Sequence, residues 1–351
     1  MSQTVTDLSS LTTLRVGGPA RRLVVASTTD ELVDAVREAD SAQTPVLLVG
    51  GGSNLLVGDD GFDGLVVQVA TEGVQRLSVD YCGGAEVRVA AGEAWDGFVA
   101  EAVQSGWIGV EALSGIPGST GATPVQNVGA YGQEVAGSVA TVRTWDRVQN
   151  RIRTLAGSEC DFGYRDSLFK RERFRGGPRY VVLDVTFQLV VADRSEPVKY
   201  AELARTLGVA IGDRVPLADV RTAVLGLRRG KGMVLDAEDQ DTWSAGSFFT
   251  NPLLSVEDAA ARLPTAAPRW PTVDGRVKTS AAWLIEHAGF TKGYGLPGPA
   301  SLSTKHTLAL TNRGSASAAD LLALAREVRD GVEAAFGVHL VAEPELVNCA
   351  L

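Results

Sequence analysis

Apolar positions along the chain follow two patterns, short continuous runs and runs at helical spacing, and the change from one to the other falls near residue 192. The continuous runs come first. PVLLVG (45–50) and GLVVQV (64–69) read as buried strands, and β-rich runs follow at AEVRVAAG (85–92), VATVRTWD (139–146) and RYVVLDVTFQLVV (179–191). One helix interrupts them, over 28–40: Leu32, Val33 and Val36 share a face, and Thr28 with Glu31 fits a capping box. After the polar stretch ADRSEP (192–197) helices are predicted at 217–229, 280–288 and 317–336. In the last, Ser317 can cap while Leu321, Leu324, Val328 and Val332 line one side. A closing strand, HLVAEPELV, covers 339–347. The pattern predicts an α+β protein of two domains, 1–192, with an N-terminal part of about 1–70, and 193–351.

Composition narrows the partners. A chain of 351 residues is long for one core, and its 45% hydrophobic content is ample to fill two. The net charge of -9 would repel a nucleic acid or an anionic membrane. Only six of the 33 basic residues are lysines and the arginines are scattered, so a small anionic ligand would meet individual guanidinium groups. The opening MSQTVTDLSS lacks the basic and apolar blocks of a leader, and no run approaches ~18 apolar residues. A cytoplasmic protein is expected. Three cysteines (Cys82, Cys160, Cys349) and three histidines (His287, His306, His339) lack metal-site spacing, so neither a disulfide framework nor a bound metal is expected. Redox chemistry would then need an organic cofactor.

Two glycine-rich stretches and one serine are the candidates for chemistry. In VGGGSNLLV, glycines follow a buried strand, where backbone N–H groups can approach phosphate oxygens. A dinucleotide fingerprint starting at Gly50 would need a third glycine where Leu55 stands, and no helical pattern follows, so from the residues alone this is a tight turn between strands. The second stretch, LSGIPGSTGATPVQNVGAYGQE (113–134), is too irregular for a helix and exposes many backbone donors. It can wrap a flat, polyphosphorylated ligand, or form a long surface loop. In SAGSFFTNP (244–252), Ser247 stands between Ala-Gly and two phenylalanines, where a hydroxyl kept dry could protonate a carbanion or enolate.

Taken in order, GGGSNLLV, SGIPGSTGATPVQNVGAYGQE, CDFGYRDSLFK and AGSFFTNP resemble the motifs of the UDP-N-acetylenolpyruvoylglucosamine reductase (MurB) family of peptidoglycan synthesis, and the likeness runs from about residue 12 (TTLRVGGPA) to the C-terminus. The resemblance implies FAD in a two-part domain of the vanillyl-alcohol-oxidase type, then a smaller α+β substrate-binding domain whose C-terminal strand carries an active-site glutamate. Neither glycine loop holds a histidine or cysteine, so the FAD would be non-covalent. Gly50, Gly51, Gly52, Ser53, Asn54 and Leu55 would touch it from the first loop. Gly115, Ile116, Pro117, Gly118, Gly121 and Ala122 would do so from the second, continued by Gln126, Asn127, Gly129, Ala130, Tyr131 and Gly132.

The implied reaction reduces UDP-N-acetylglucosamine enolpyruvate to UDP-N-acetylmuramate. A hydride from NADPH passes by way of FAD to C3 of the enolpyruvyl ether, and Ser247 protonates the enolate at C2. Arg165 resembles the family arginine that meets the substrate carboxylate, a task suited to its charged fork, although a surface pair with Asp166 is the plainer reading of the residues. Counting from Phe336 to Leu340 places the family's catalytic glutamate at Glu343. Glu345, on the same side of the predicted strand, is the alternative, and an edge-strand charge is the plainer reading. Tyr164, Tyr200, Arg228, Lys231, Asn251 and His306 match positions that hold the nucleotide sugar. From the residues alone, Tyr200 packs its helix and His306 is a satisfied histidine. MVLDAEDQDTW, after Lys231, is longer than in some members, which leaves the placing of Lys231 open. No second nucleotide motif is visible, so NADPH and the UDP-sugar would take turns in one pocket of a monomer. Two other readings remain, an FAD-dependent oxidase of the same superfamily and a non-catalytic sugar-nucleotide-binding protein.

Overall fold

The structure, a computed structural model, describes residues 6–80 and 82–351, so the first five residues weighed above for a leader lie outside it. The chain divides into two compact units, and neither is one continuous stretch. Ala20–Gly51 and Asp63–Gly230 belong to the first, and Asp7–Pro19, Gly52–Phe62 and Lys231–Leu351 form the second.

In the first unit the helix Thr29–Ser41 begins at the predicted capping box, and Leu32 and Val36 are fully buried. It packs against Val46–Val49, which pairs in parallel with Phe62–Val69, Val46 opposite Leu65. An antiparallel sheet follows in the order Arg151–Ala156, Val139–Asp146, Tyr180–Val191, Gly84–Ala90, Val74–Asp80, with Trp107–Ile108 on the far end of Tyr180–Val191. The helix Trp95–Gln104, which was not predicted, lies on this sheet. Its Trp95, Phe98, Val99 and Ala102 recur at helical spacing, and the rings of Trp95 and Phe98 stand 5.8 and 4.9 Å from Phe187.

Two expectations differ locally. The segment 113–134, read as irregular, contains a helical turn, Thr123–Gln126, started by Pro124 and stopped by Asn127 at φ +43°. The polar break at 192–197 lies inside the first unit. Beyond it the helices Ala201–Leu207 and Leu217–Gly230 bury Val198, Leu203, Val220 and Val224 against one another, and Tyr131 packs on them.

The second unit is built on the helix Ala318–Phe336. Ser317 and Asp320 cap it reciprocally, Gly337 at φ +64° ends it, and Leu321, Leu324, Val328 and Val332 are buried, at about 1.5–3 kcal/mol each. Leu14, Val16 and Leu56 from the early segments share that core. The closing strand is shorter than predicted. Only Glu345–Val347 is strand, parallel to Leu55–Val57, because Pro344 has no N–H to offer a ladder. Glu343 therefore precedes the strand, and the expectation that it shares a strand face with Glu345 is corrected. No helix among the described residues is long and apolar enough to cross a membrane.

Candidate active site

In the first unit the two glycine stretches meet backbone to backbone. A Cβ on Gly51 would lie 2.6 Å from Gly118 Cα, and one on Gly50 would lie 2.1 Å from Ser119 Oγ. Gly51 admits no side chain against that backbone atom, whereas a side chain at Gly50 would require the Ser119 hydroxyl to turn away. The N-terminus of the helix Trp95–Gln104 fixes the second stretch at three points. Trp95 N–H donates to Gly118 O (3.0 Å), its indole N–H to Leu113 O (3.2 Å), and the Asp96 carboxylate accepts the Gly115 N–H (2.6 Å). Two close-packed turns rich in backbone donors fit a diphosphate-bearing cofactor such as FAD. The nearest candidate for a covalent tether in CDFGYRDS, Cys160, is buried, and burial pushes its thiol up to about 12.

The YRDS segment is stitched to the same stretch. Asn127 Nδ2 donates to Gly163 O (2.8 Å), Ser167 Oγ to Val125 O (2.7 Å), and Lys170 Nζ to both Gln126 Oε1 (3.0 Å) and Arg165 O (3.1 Å). Arg165 adopts φ +55°, a left-handed conformation that costs a side-chain-bearing residue free energy and that these bonds hold in place. Its Nη2 donates to Gly129 O (2.8 Å), and its guanidinium lies 5.6 Å from the centre of the Tyr164 ring. Asp166, the expected surface partner, pairs with Arg171.

A cationic corner of the first unit gathers the remaining residues. Arg221 grips Asp96 with both Nη atoms (2.6 and 2.9 Å). Arg228 lies two turns further along the same helix, where burial presses its guanidinium down to about 10 against the pull of Tyr131 and Asp96, with Arg165 adding to the pressure. Tyr131 stands edge-on to Tyr200, centroids 5.6 Å apart, and burial pushes its phenol up to about 12. Tyr200, at the start of Ala201–Leu207, is half exposed.

In the second unit Ser247 follows Gly246 (φ +72°) and precedes Phe248 and Phe249, both buried and edge-on at 5.2 Å. Glu343 N–H donates to Phe248 O (2.8 Å) and Phe249 bridges Ala342, so Ser247 and Glu343 ride on paired segments. Asn54 joins them. Its Nδ2 donates to Glu343 O (3.4 Å) and its carbonyl accepts the Glu345 N–H (2.9 Å). Gly52, at φ +60°, has its Cα so close to Leu11 O that a Cβ would lie 1.8 Å from it. Asn251 Oδ1 accepts the Ala281 N–H (3.0 Å) at the start of Ala281–His287, a structural duty the sequence did not reveal. His306 and Lys231 are half-buried, His306 in the turn between Ala300–Leu302 and Leu310–Asn312. The site residues thus fall into two groups, one on each unit.

Comparison with known proteins gives these groups a lineage. The FAD binding domain family matches residues 20–149, and the C-terminal domain of UDP-N-acetylenolpyruvoylglucosamine reductase matches 238–347. The enzyme of that name from Cutibacterium acnes is 58% identical over 346 residues, 98% of this chain and 90% of the relative, and that from Streptomyces avermitilis is 57% identical over 98% and 94%. The chain belongs to the UDP-N-acetylenolpyruvoylglucosamine reductase family. The crystal structure of the reductase from Thermus caldophilus aligns over 98% of both chains at a TM-score of 0.65 and 26% identity.

Against this reductase family background, several supporting residues were missed in the sequence. Trp95, Asp96, Lys170 and Arg221 all anchor the loops named above. The signal for the first two was present, since Trp95, Phe98, Val99 and Ala102 at helical spacing just before a glycine-rich stretch mark a helix N-terminus facing it. Lys170 and Arg221 gave no such signal.

Proposed function

We propose that this chain reduces the enolpyruvyl group of UDP-N-acetylglucosamine enolpyruvate to give UDP-N-acetylmuramate for peptidoglycan synthesis. The reading takes FAD as a non-covalent cofactor, NADPH as the hydride donor, and a cytoplasmic monomer as the working form. The parts it assigns are flavin binding to 1–192 and substrate binding to 193–351. What carries it is the pairing of the Ser247 segment with the Glu343 segment through Phe248 O and the Glu343 N–H, which gives one unit both a proton donor and a carboxylate.

When bound, FAD supplies the two-electron store through which a hydride from NADPH reaches C3 of the substrate. The chain's own residues do the rest. Arg165, held at its unusual φ, would bind the substrate carboxylate and steady the negative charge that grows on the enolate oxygen. Ser247 Oγ–H would give its proton to C2, an acceptor far more basic than water, with Phe248 and Phe249 limiting stray protonation by solvent. Glu343 would polarise the enol. Arg228 and Tyr200, both neighbours of Tyr131, would take the diphosphate and uracil, and Lys231, Asn251 and His306 would add contacts from the second unit. NADPH and the sugar nucleotide would alternate as ligands.

Stopped-flow measurement of the two half-reactions tests this. Ser247→Ala is expected to leave flavin reduction by NADPH near native and to slow the oxidative half-reaction by about 10²–10⁴. Equal slowing of both halves would remove Ser247 as the proton donor.

A further inference from the structure

Asp96 occupies a junction that the proposed chemistry does not use. It lies in the first turn of Trp95–Gln104, where the helix N-terminus favours a negative charge. One oxygen, Oδ1, takes both the Gly115 N–H (2.6 Å) and Arg221 Nη1 (2.6 Å), and Oδ2 takes Arg221 Nη2 (2.9 Å). Burial pushes this carboxyl up, but the Arg221 and Gly115 bonds and the charges of Arg221 and Arg228 outweigh it and leave it below the usual carboxylate range.

Asp96 is contacted on both sides. Gly115 opens the GIPG turn, whose Gly118 touches Gly51. Arg221 and Arg228 stand seven residues apart on Leu217–Gly230, on one face of a continuous helix, so a shift at Arg221 carries Arg228 with it. A bidentate guanidinium–carboxylate clasp fixes direction as well as distance.

We propose that Asp96 is a positioning residue that couples cofactor occupancy of the glycine turns to diphosphate binding at Arg228. The inference rests on the functional reading above, in which the turns hold FAD and Arg228 meets the sugar nucleotide. FAD in the glycine turns would strengthen the hold on Gly115 and so keep Asp96 seated, Arg221 clasped and Arg228 presented. Linkage requires the reverse as well, so a bound diphosphate tightens FAD by the same factor.

The test measures the equilibrium dissociation constant of FAD, from flavin fluorescence, with and without saturating UDP-N-acetylglucosamine. In the native protein the sugar nucleotide is expected to tighten FAD by about fivefold or more. Asp96→Asn and Arg221→Gln should each reduce that factor to about twofold or less, and the double variant should do no more, because both act through one contact. Arg221→Gln leaves the Gly115 bond intact and so covers the case in which Asp96→Asn does not fold. Retention of the native factor in the single variants, or losses that add in the double variant, overturns the proposal. A native protein that binds FAD and the sugar nucleotide and turns over substrate, yet shows no linkage, also overturns it while leaving the functional reading intact. A native protein that takes up no FAD overturns both.

Discussion

Two glutamates two residues apart, Glu343 and Glu345, have different surroundings. Glu345 sits in a parallel strand pair with Leu55, while Glu343 lies before Pro344 with its N–H on Phe248 O, directly beside the segment that carries Ser247. Replacing Glu343 with Gln is expected to slow the oxidative half-reaction by about 10² or more, and Glu345→Gln by less than about threefold, measured by stopped flow. The opposite order would move the catalytic carboxylate to Glu345. The type of residue needed at such positions was legible in the sequence, but its conformation was not. YRDS announced an arginine beside an aspartate, and nothing in it announced φ +55° at Arg165 or the pairing of Asp166 with Arg171, because these follow from contacts outside the motif, with Gly129 far back in the chain and with Lys170 and Arg171 one turn on.

Among the elements, three helices that begin with a side-chain cap were legible, while capped Val256–Arg262 and uncapped Trp95–Gln104 and Ala201–Leu207 were missed. Thr28 and Ser317 each accept the N–H three residues on, and the predicted starts hold to within one residue. Trp95–Gln104 begins after Ala94 with no side-chain cap, so only its apolar spacing marked it. The glycine turns were legible as turns, yet their contact was not, since local sequence says nothing of what will lie across from Gly51. That contact makes a prediction at this scale. Gly51→Ala would force a methyl to within 2.6 Å of Gly118 Cα, a backbone atom with no rotamer to yield. The two turns should part, and the variant should bind FAD more than about tenfold more weakly by fluorescence titration. Native affinity would show that their contact is not needed to hold the cofactor.

For the whole molecule, acid is the expected weakness. Asp146 is fully covered, and although burial pushes its carboxyl up, the Arg179 fork (3.1 and 2.9 Å) and the N–H groups of Gln149 and Val148 bring it below the usual range. A folded-state value below the unfolded one means that its stabilisation is complete above the unfolded value, near pH 4, and is lost as pH falls through the folded value. Asp146→Asn should therefore lower stability at pH 7 by about 3–5 kcal/mol, since Arg179 loses a buried partner, and flatten the decline below pH 4 in chemical denaturation. An unchanged acid limb would place the sensitivity elsewhere, with Asp241, also lowered, the next group to examine. The interleaved chain order carries one more consequence. Leu14, Val16 and Leu56 are synthesised well before the helix Ala318–Phe336 they pack against and the strand Glu345–Val347 that pairs with Leu55–Val57. The second unit therefore cannot close until all of the first unit's sequence between those segments has been made, and its long-range contacts carry the larger loop-closure cost.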